Sequence, residues 1–208
     1  RDRANCVSDD NRQIDYFPNK ANIKYAQRFE VEYRDNYKIV TVKNPWKGAG
    51  VSFQYVLVQC GTPIPEGFDR DRIIRVPVES AVALATPYLA HLDRLQLLDR
   101  LVGVSNAKRI NTPGVVAKLK TNEIAALGTN PALNIEAILN LNPDLILTFG
   151  MGNAQFDTHP KLLEANLNVA LNAAYLETSP LARAEWIKFT ALFFNREAKA
   201  EQIFAEID

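Results

Sequence analysis

The segment Phe149-Gly150-Met151-Gly152-Asn153 sets two bulky side chains in a glycine-rich loop. Residues of that kind offer contact surface rather than turnover. The loop follows Leu145-Ile146-Leu147, a short apolar run that reads as a buried parallel strand. In open α/β sheets, ligands sit beyond the carboxyl ends of the strands, so this loop is the first candidate for a binding surface. Enzymatic chemistry finds less support. There is no Gly-x-Ser-x-Gly, no P-loop and no Gly-x-Gly-x-x-Gly fingerprint; Gly150-Met151-Gly152 lacks the third glycine and opens no clear helix. Asp157 and His159 are neighbours without an evident nucleophile. The two histidines are His91, inside a helical pattern, and His159, at a boundary before Pro160. Joint ligation of a metal by both is not expected. Cys6 and Cys60 permit one disulfide; two unrelated thiols are the equal alternative.

The elements that position these residues can be read in order. Asn22 to Tyr33 alternates apolar and polar residues, which predicts a half-buried strand. Asp35-Asn36 supplies a turn, Lys38–Val42 the returning strand, and Val51–Gln59 a third. An N-terminal antiparallel β layer is therefore expected over residues 21–60. Strands at Ile73–Val78, Val82–Ala85, Val102–Val104, Leu145–Leu147 and Asn168–Leu171 alternate with helices opened by Thr86-Pro87, Thr112-Pro113, Asn134 and His159-Pro160. That alternation predicts an α/β fold with a mostly parallel sheet flanked by helices. In the helix after Asn134, an N-cap is followed by Glu136 in the first turn; Ile135, Ile138 and Leu139 recur at helical spacing, and Asn142-Pro143 is the stop. Ser179-Pro180 opens a last segment with neither Gly nor Pro from Leu181 to Ile207, which predicts one long C-terminal helix.

The 208 residues are 47% apolar and 23% charged, with Lys plus Arg equal to Asp plus Glu at 24 each. A neutral balance argues against a nucleic-acid partner. No apolar run reaches the roughly 20 residues of a membrane-spanning helix, and the first residues are not a signal peptide.

The run Asn134-Ile135-Glu136-Ala137-Ile138-Leu139 followed by Asn142-Pro143-Asp144-Leu145-Ile146-Leu147 resembles the substrate-binding proteins of bacterial ABC importers for iron–siderophore complexes and cobalamin, the class in which one long helix joins two lobes. Leu95–Val104 and Ser179–Ile187 extend the resemblance, which covers roughly residues 72–208. It implies a β-rich extension over 1–70, an α/β substrate-binding lobe over 71–178 and a bridging helix over 179–208, with no second lobe. The chain is then a fragment, a truncated form or a one-lobed relative. Family members dock a glutamate on the membrane permease; the matching residue here is Glu136, which reads otherwise as an ordinary first-turn carboxylate. Ligand contacts are expected from the strand-end loops: Thr86 and Tyr88; Asn106, Lys108 and Arg109; Thr129 and Asn130; Phe149, Met151 and Asn153. Lys108 and Arg109 would supply charge for an anionic chelate and the aromatics flat contact. Taken singly, each is a solvated loop charge by default, and Tyr88 equally a core residue.

The resulting expectation is an extracytoplasmic solute-binding protein, in the periplasm or at the cell surface, with room for a lipid anchor upstream of residue 1. It would capture an iron–siderophore or related iron chelate and deliver it to a permease. No cofactor, no directly protein-bound metal, no nucleic acid and no membrane span are expected; an exported location favours the disulfide. Alternatives are cobalamin or haem in the same role, a one-lobed sensory or interaction module and, behind these, a small α/β hydrolase.

Overall fold

The computed structural model describes residues 6–8, 14–129 and 132–208. It forms two compact units. One comprises Arg1–Asn44, Gly50–Glu79 and Ala174–Asp208; the other comprises Pro45–Ala49 and Ser80–Ala173.

The first unit contains β1 (Phe29–Tyr33), β2 (Tyr37–Lys43), β3 (Ser52–Gln59) and β4 (Ile73–Val76), adjacent in that order. β1 with β2 and β2 with β3 pair antiparallel, and β4 adds in parallel to β3. The alternation in sequence becomes sidedness in the sheet. Phe29, Val40 and Val42 are buried, while Glu30 and Glu32 on β1 are exposed. Cys6 and Cys60 form a disulfide.

The second unit is a βα succession: β5 (Ala81–Ala83), α1 (Thr86–Arg94), β6 (Leu101–Val104), α2 (Pro113–Lys120) and β7 (Ala125–Ala126). A short antiparallel pair follows, β8 (Gly128–Thr129) with β9 (Ala132–Leu133). Then come α3 (Ile135–Leu141), β10 (Leu145–Thr148), α4 (His159–Glu164) and β11 (Val169–Leu171). The sheet order is β11-β10-β5-β6-β7, with every neighbouring pair parallel. From β5 the chain winds outward through β6 and β7, then crosses to β10 on the other side of β5. The winding therefore reverses between β5 and β10, the topological switch point at which such sheets open a crevice.

The stretch around α3 folds as its local chemistry dictates. The Asn134 side chain accepts the Ala137 N–H at 2.9 Å and so caps the helix. Asn142 takes the left-handed conformation (φ 45°) that ends it before Pro143. Every residue of β10 is buried, as a central parallel strand requires.

The chain returns to the first unit with α5 (Pro180–Ala184), α6 (Trp186–Leu192) and α7 (Glu197–Ala205). The single long helix expected over 181–207 is thus corrected to three. The Lys188 N–H bonds three residues back to Glu185 O, which tightens the first junction. At the second, Asn195 adopts φ 53°, accepts from Lys38 Nζ at 2.9 Å and donates to Gln59 Oε1 at 2.9 Å. Trp186 and Phe189 pack on Phe29, and Phe193 on Tyr55, with ring centroids 4.7, 5.6 and 6.0 Å apart. These contacts cover the buried face of the sheet.

The strand expected from Asn22 is also corrected, because β1 begins only at Phe29. The N–H groups of Lys24, Tyr25 and Ala26 converge on the Glu185 carboxylate at 2.8, 2.7 and 2.7 Å. Those of Gln27 and Arg28 donate to Glu177 Oε1 at 3.1 and 3.0 Å. A backbone whose donors gather on two carboxylates has none left for a ladder. Lys38, on the returning strand, points inward and is fully buried, paired with Glu197 at 2.6 Å.

Candidate functional site

The carboxyl ends of β5, β6 and β10, with the β7–β8 connection, surround a groove of about 800 Å³. Leu84 follows β5 and Phe149 follows β10, so the two strands at the switch point each contribute a lining residue. After β6, Asn106 takes a left-handed conformation (φ 52°) and donates its N–H to Gly128 O at 2.8 Å. Ser105 Oγ donates to Leu84 O at 2.8 Å. These bonds hold one turn of 3-10 helix, Ala107–Arg109, whose last two side chains are the exposed cations Lys108 and Arg109. Among the described residues, no carboxylate lines the groove. Two cations, an amide and an aromatic ring with no opposing acid make a setting for an anion that carries an apolar or flat part.

Of the residues expected at the site, Asn106, Lys108, Arg109, Thr129 and Phe149 are brought together here. Thr86 is exposed at the start of α1 but does not line the groove. Tyr88 is corrected to a core residue. It is 3% exposed, and its hydroxyl donates to Thr148 O at 2.7 Å, so its polar end is already engaged inside the unit. Met151 and Asn153 are exposed but stand in the next turn of the loop, outside the lining. There the N–H groups of Met151, Gly152 and Asn153 donate to the Asp157 carboxylate at 2.8, 2.8 and 3.1 Å. Asn130 lies outside the described residues. Glu136 is exposed in the first turn of α3.

Sequence reasoning did not mark Leu84, Ala107, Ala126 or Gly128 as lining residues, nor Trp46 and Asp157 as neighbours of the loop. Small and aliphatic residues carry no chemical signal, and Trp46 is distant in sequence. The indole packs against His159, ring centroids 5.4 Å apart, and crosses Gly150 and Gly152. Burial lowers the His159 pKa, and the Asp157 carboxylate partly offsets this.

Residues 82–208 match the sequence pattern of the periplasmic binding protein family. The chain belongs to the periplasmic binding protein family. The matched residues take in most of the α/β unit and the C-terminal helices. Two uncharacterized lipoproteins of Methanocaldococcus jannaschii are similar to it, at 23% identity over 89% of this chain and 49% of the relative, and at 26% over 89% and 47%. The chain therefore spans about half the length of the curated relatives it matches. Among solved structures, a periplasmic binding protein from Veillonella parvula superposes with a TM-score of 0.55 at 18% identity, covering 81% of this chain and 49% of that one. A petrobactin-binding protein of Bacillus subtilis superposes with a TM-score of 0.52 at 17% identity, covering 82% and 50%. At these identities the superpositions establish a shared fold.

Proposed function

We propose that this periplasmic binding protein is the solute-capturing component of an ABC importer, and that its ligand is an iron–siderophore or a related anionic iron chelate. One observation carries the reading: the groove at the switch point joins Lys108 and Arg109 to Phe149 and has no acidic lining among the described residues. Ligand capture needs charge, amide and ring, and the groove offers all three. The petrobactin-binding neighbour shares the fold and supports this chemical class. The disulfide and the lipoprotein relatives support an extracytoplasmic location, where thiols oxidise and disulfides persist. Glu136, exposed on α3, is proposed to dock the loaded protein on the permease.

The test is a titration of intrinsic fluorescence with ferric catecholate, ferric hydroxamate, ferric citrate, haemin and cobalamin, corrected for inner-filter absorption with a control peptide. It is run on this chain and on the longest chain its gene encodes. Saturable quenching by an iron chelate at micromolar or lower concentration is the expected result. Saturation by cobalamin or haemin alone would move the ligand class within the same role. No saturation by any of the five, on either chain, overturns the proposal.

A further inference from the structure

We propose that Trp46 is a positioning residue of the ligand groove, fixing from outside the family-matched segment the loop that carries Phe149. The inference rests on the reading of the groove as a ligand site. Trp46 sits in the segment Pro45–Ala49, between β2 and β3 in the chain, yet that segment belongs to the unit of the parallel sheet. The family match begins only at residue 82.

The indole lies across the backbone of two glycines. A Cβ at Gly150 would stand 2.6 Å from Trp46 Cε3 and 3.1 Å from Cζ3; one at Gly152 would stand 2.6 Å from Cδ1 and 3.0 Å from Nε1. Gly152 has φ 76°, a conformation that favours glycine by itself. Gly150 is not among the residues of positive φ, so there the close approach of the indole is what excludes a side chain. The buried His159 ring packs against the indole, the two planes inclined at 35°, and its Cε1 would stand 3.3 Å from the same Cβ at Gly150. The far end of the loop is closed by Asp157, which collects the N–H groups of Met151, Gly152 and Asn153. The loop is therefore held at two places, by a ring across its glycines and by a carboxylate under its turn. Phe149, the ring that lines the groove, is covalently next to the first of these. Any shift of Gly150 towards the space of a missing indole moves Phe149 with it.

Amide hydrogen exchange in wild type, Trp46→Phe and Trp46→Ala tests this without a ligand. In Trp46→Ala the amides of Met151, Gly152 and Asn153 are expected to exchange at least tenfold faster. The amides of Ile146 and Leu147 in β10 should keep their wild-type rates, and Trp46→Phe should lie between. Wild-type rates in the loop of Trp46→Ala overturn the proposal. So does an equal acceleration in β10, which would mean general destabilisation. The second readout is affinity for ferric catecholate, the probe that offers both negative charge to Lys108 and Arg109 and a flat ring to Phe149. A loss of tenfold or more in Trp46→Ala, largely restored in Trp46→Phe, supports positioning; unchanged affinity overturns it. If ferric catecholate does not bind the wild type, that result bears on which chelate the groove takes and not on Trp46. The ring resonances of Phe149 then decide the role of Trp46, because a spectrum unchanged by Trp46→Ala means that Trp46 positions nothing in the groove.

Discussion

Single residues in the strand-end loops divide by where their polar atoms go. Tyr88 and Lys108 both belong to the expected ligand contacts, Tyr88 equally to the core, but the Tyr88 hydroxyl ends on Thr148 O and the Lys108 side chain ends in solvent beside the groove. Their substitutions should therefore separate. Tyr88→Phe removes one neutral hydrogen bond from an acceptor that keeps the Asn172 N–H at 2.9 Å, so stability should drop by about 1 kcal/mol and ligand affinity should not change. Lys108→Ala and Arg109→Ala should each weaken binding of an anionic chelate by roughly tenfold and leave Tm within error, because exposed charges away from core contacts contribute little to folding. The losses should shrink at high salt, where a Debye length falling from about 10 Å at 0.1 M to about 3 Å at 1 M screens the cations. Thermal melts and titrations at two ionic strengths check both. A Tyr88→Phe protein with weakened binding would return that residue to the groove.

Among elements, the segment 22–28 and the C-terminal helices depend on each other. Burial pushes the Glu185 carboxyl up, but the N–H groups of Ala26, Lys24 and Tyr25 and the Lys188 ammonium outweigh it, and the net pKa is lowered. The carboxylate form is thus the one the fold uses. Glu185→Gln leaves Lys188 buried with one charged partner fewer, Glu201 remaining at 3.1 Å, and keeps a single acceptor oxygen for three amides. The expected loss is about 3 kcal/mol or more, with faster exchange at Lys24, Tyr25 and Ala26. Unchanged exchange there would show that the carboxylate does not hold the segment. The exposed face of α3 presents Glu136, the proposed docking residue. Glu136→Lys should leave chelate affinity intact and lower chelate uptake through the reconstituted importer several-fold; unaltered uptake removes Glu136 from the docking surface.

For the whole molecule, the shifted histidines and Glu185 make stability rise with pH across the acid range. Burial lowers the His159 pKa and pushes His91 down to about 4, so both are held neutral where an unfolded histidine, near 6.5, begins to protonate. Between the folded and unfolded values the unfolded chain binds more protons, and stability rises with pH. The histidine contribution is therefore complete above about pH 6.5 and is lost as pH falls towards 4. Glu185, lowered from 4.5, adds stability above its unfolded value that is lost on further acidification. Tm should fall in two stages, the first between about pH 6.5 and 4, and His91→Gln should flatten that stage. A Tm independent of pH from 7 to 4.5 would show that neither imidazole is held neutral.

Much of this protein was written locally. Asn134 as a cap, Asn142-Pro143 as a stop, the apolar 145–147 run and the βα alternation need only neighbours within a few residues, so the α3–β10 unit, the parallel sheet and the family resemblance were legible from the chain alone. The cysteine pair was visible as a possibility, and the fold brought its Cα atoms to 4.8 Å. What the tertiary structure decided were partnerships between distant residues. Glu185 takes the Lys24 amide from 161 positions away and turns an apparent strand into a bound segment. Asn195 divides an apparently continuous helix because Lys38 and Gln59 hold its side chain. Trp46 reaches two glycines that sequence reads only as a flexible loop. Periodicity and capping report the energetics of a single turn or strand. Buried hydrogen bonds and ring contacts are set by which segments the whole fold brings together, and no local pattern encodes that.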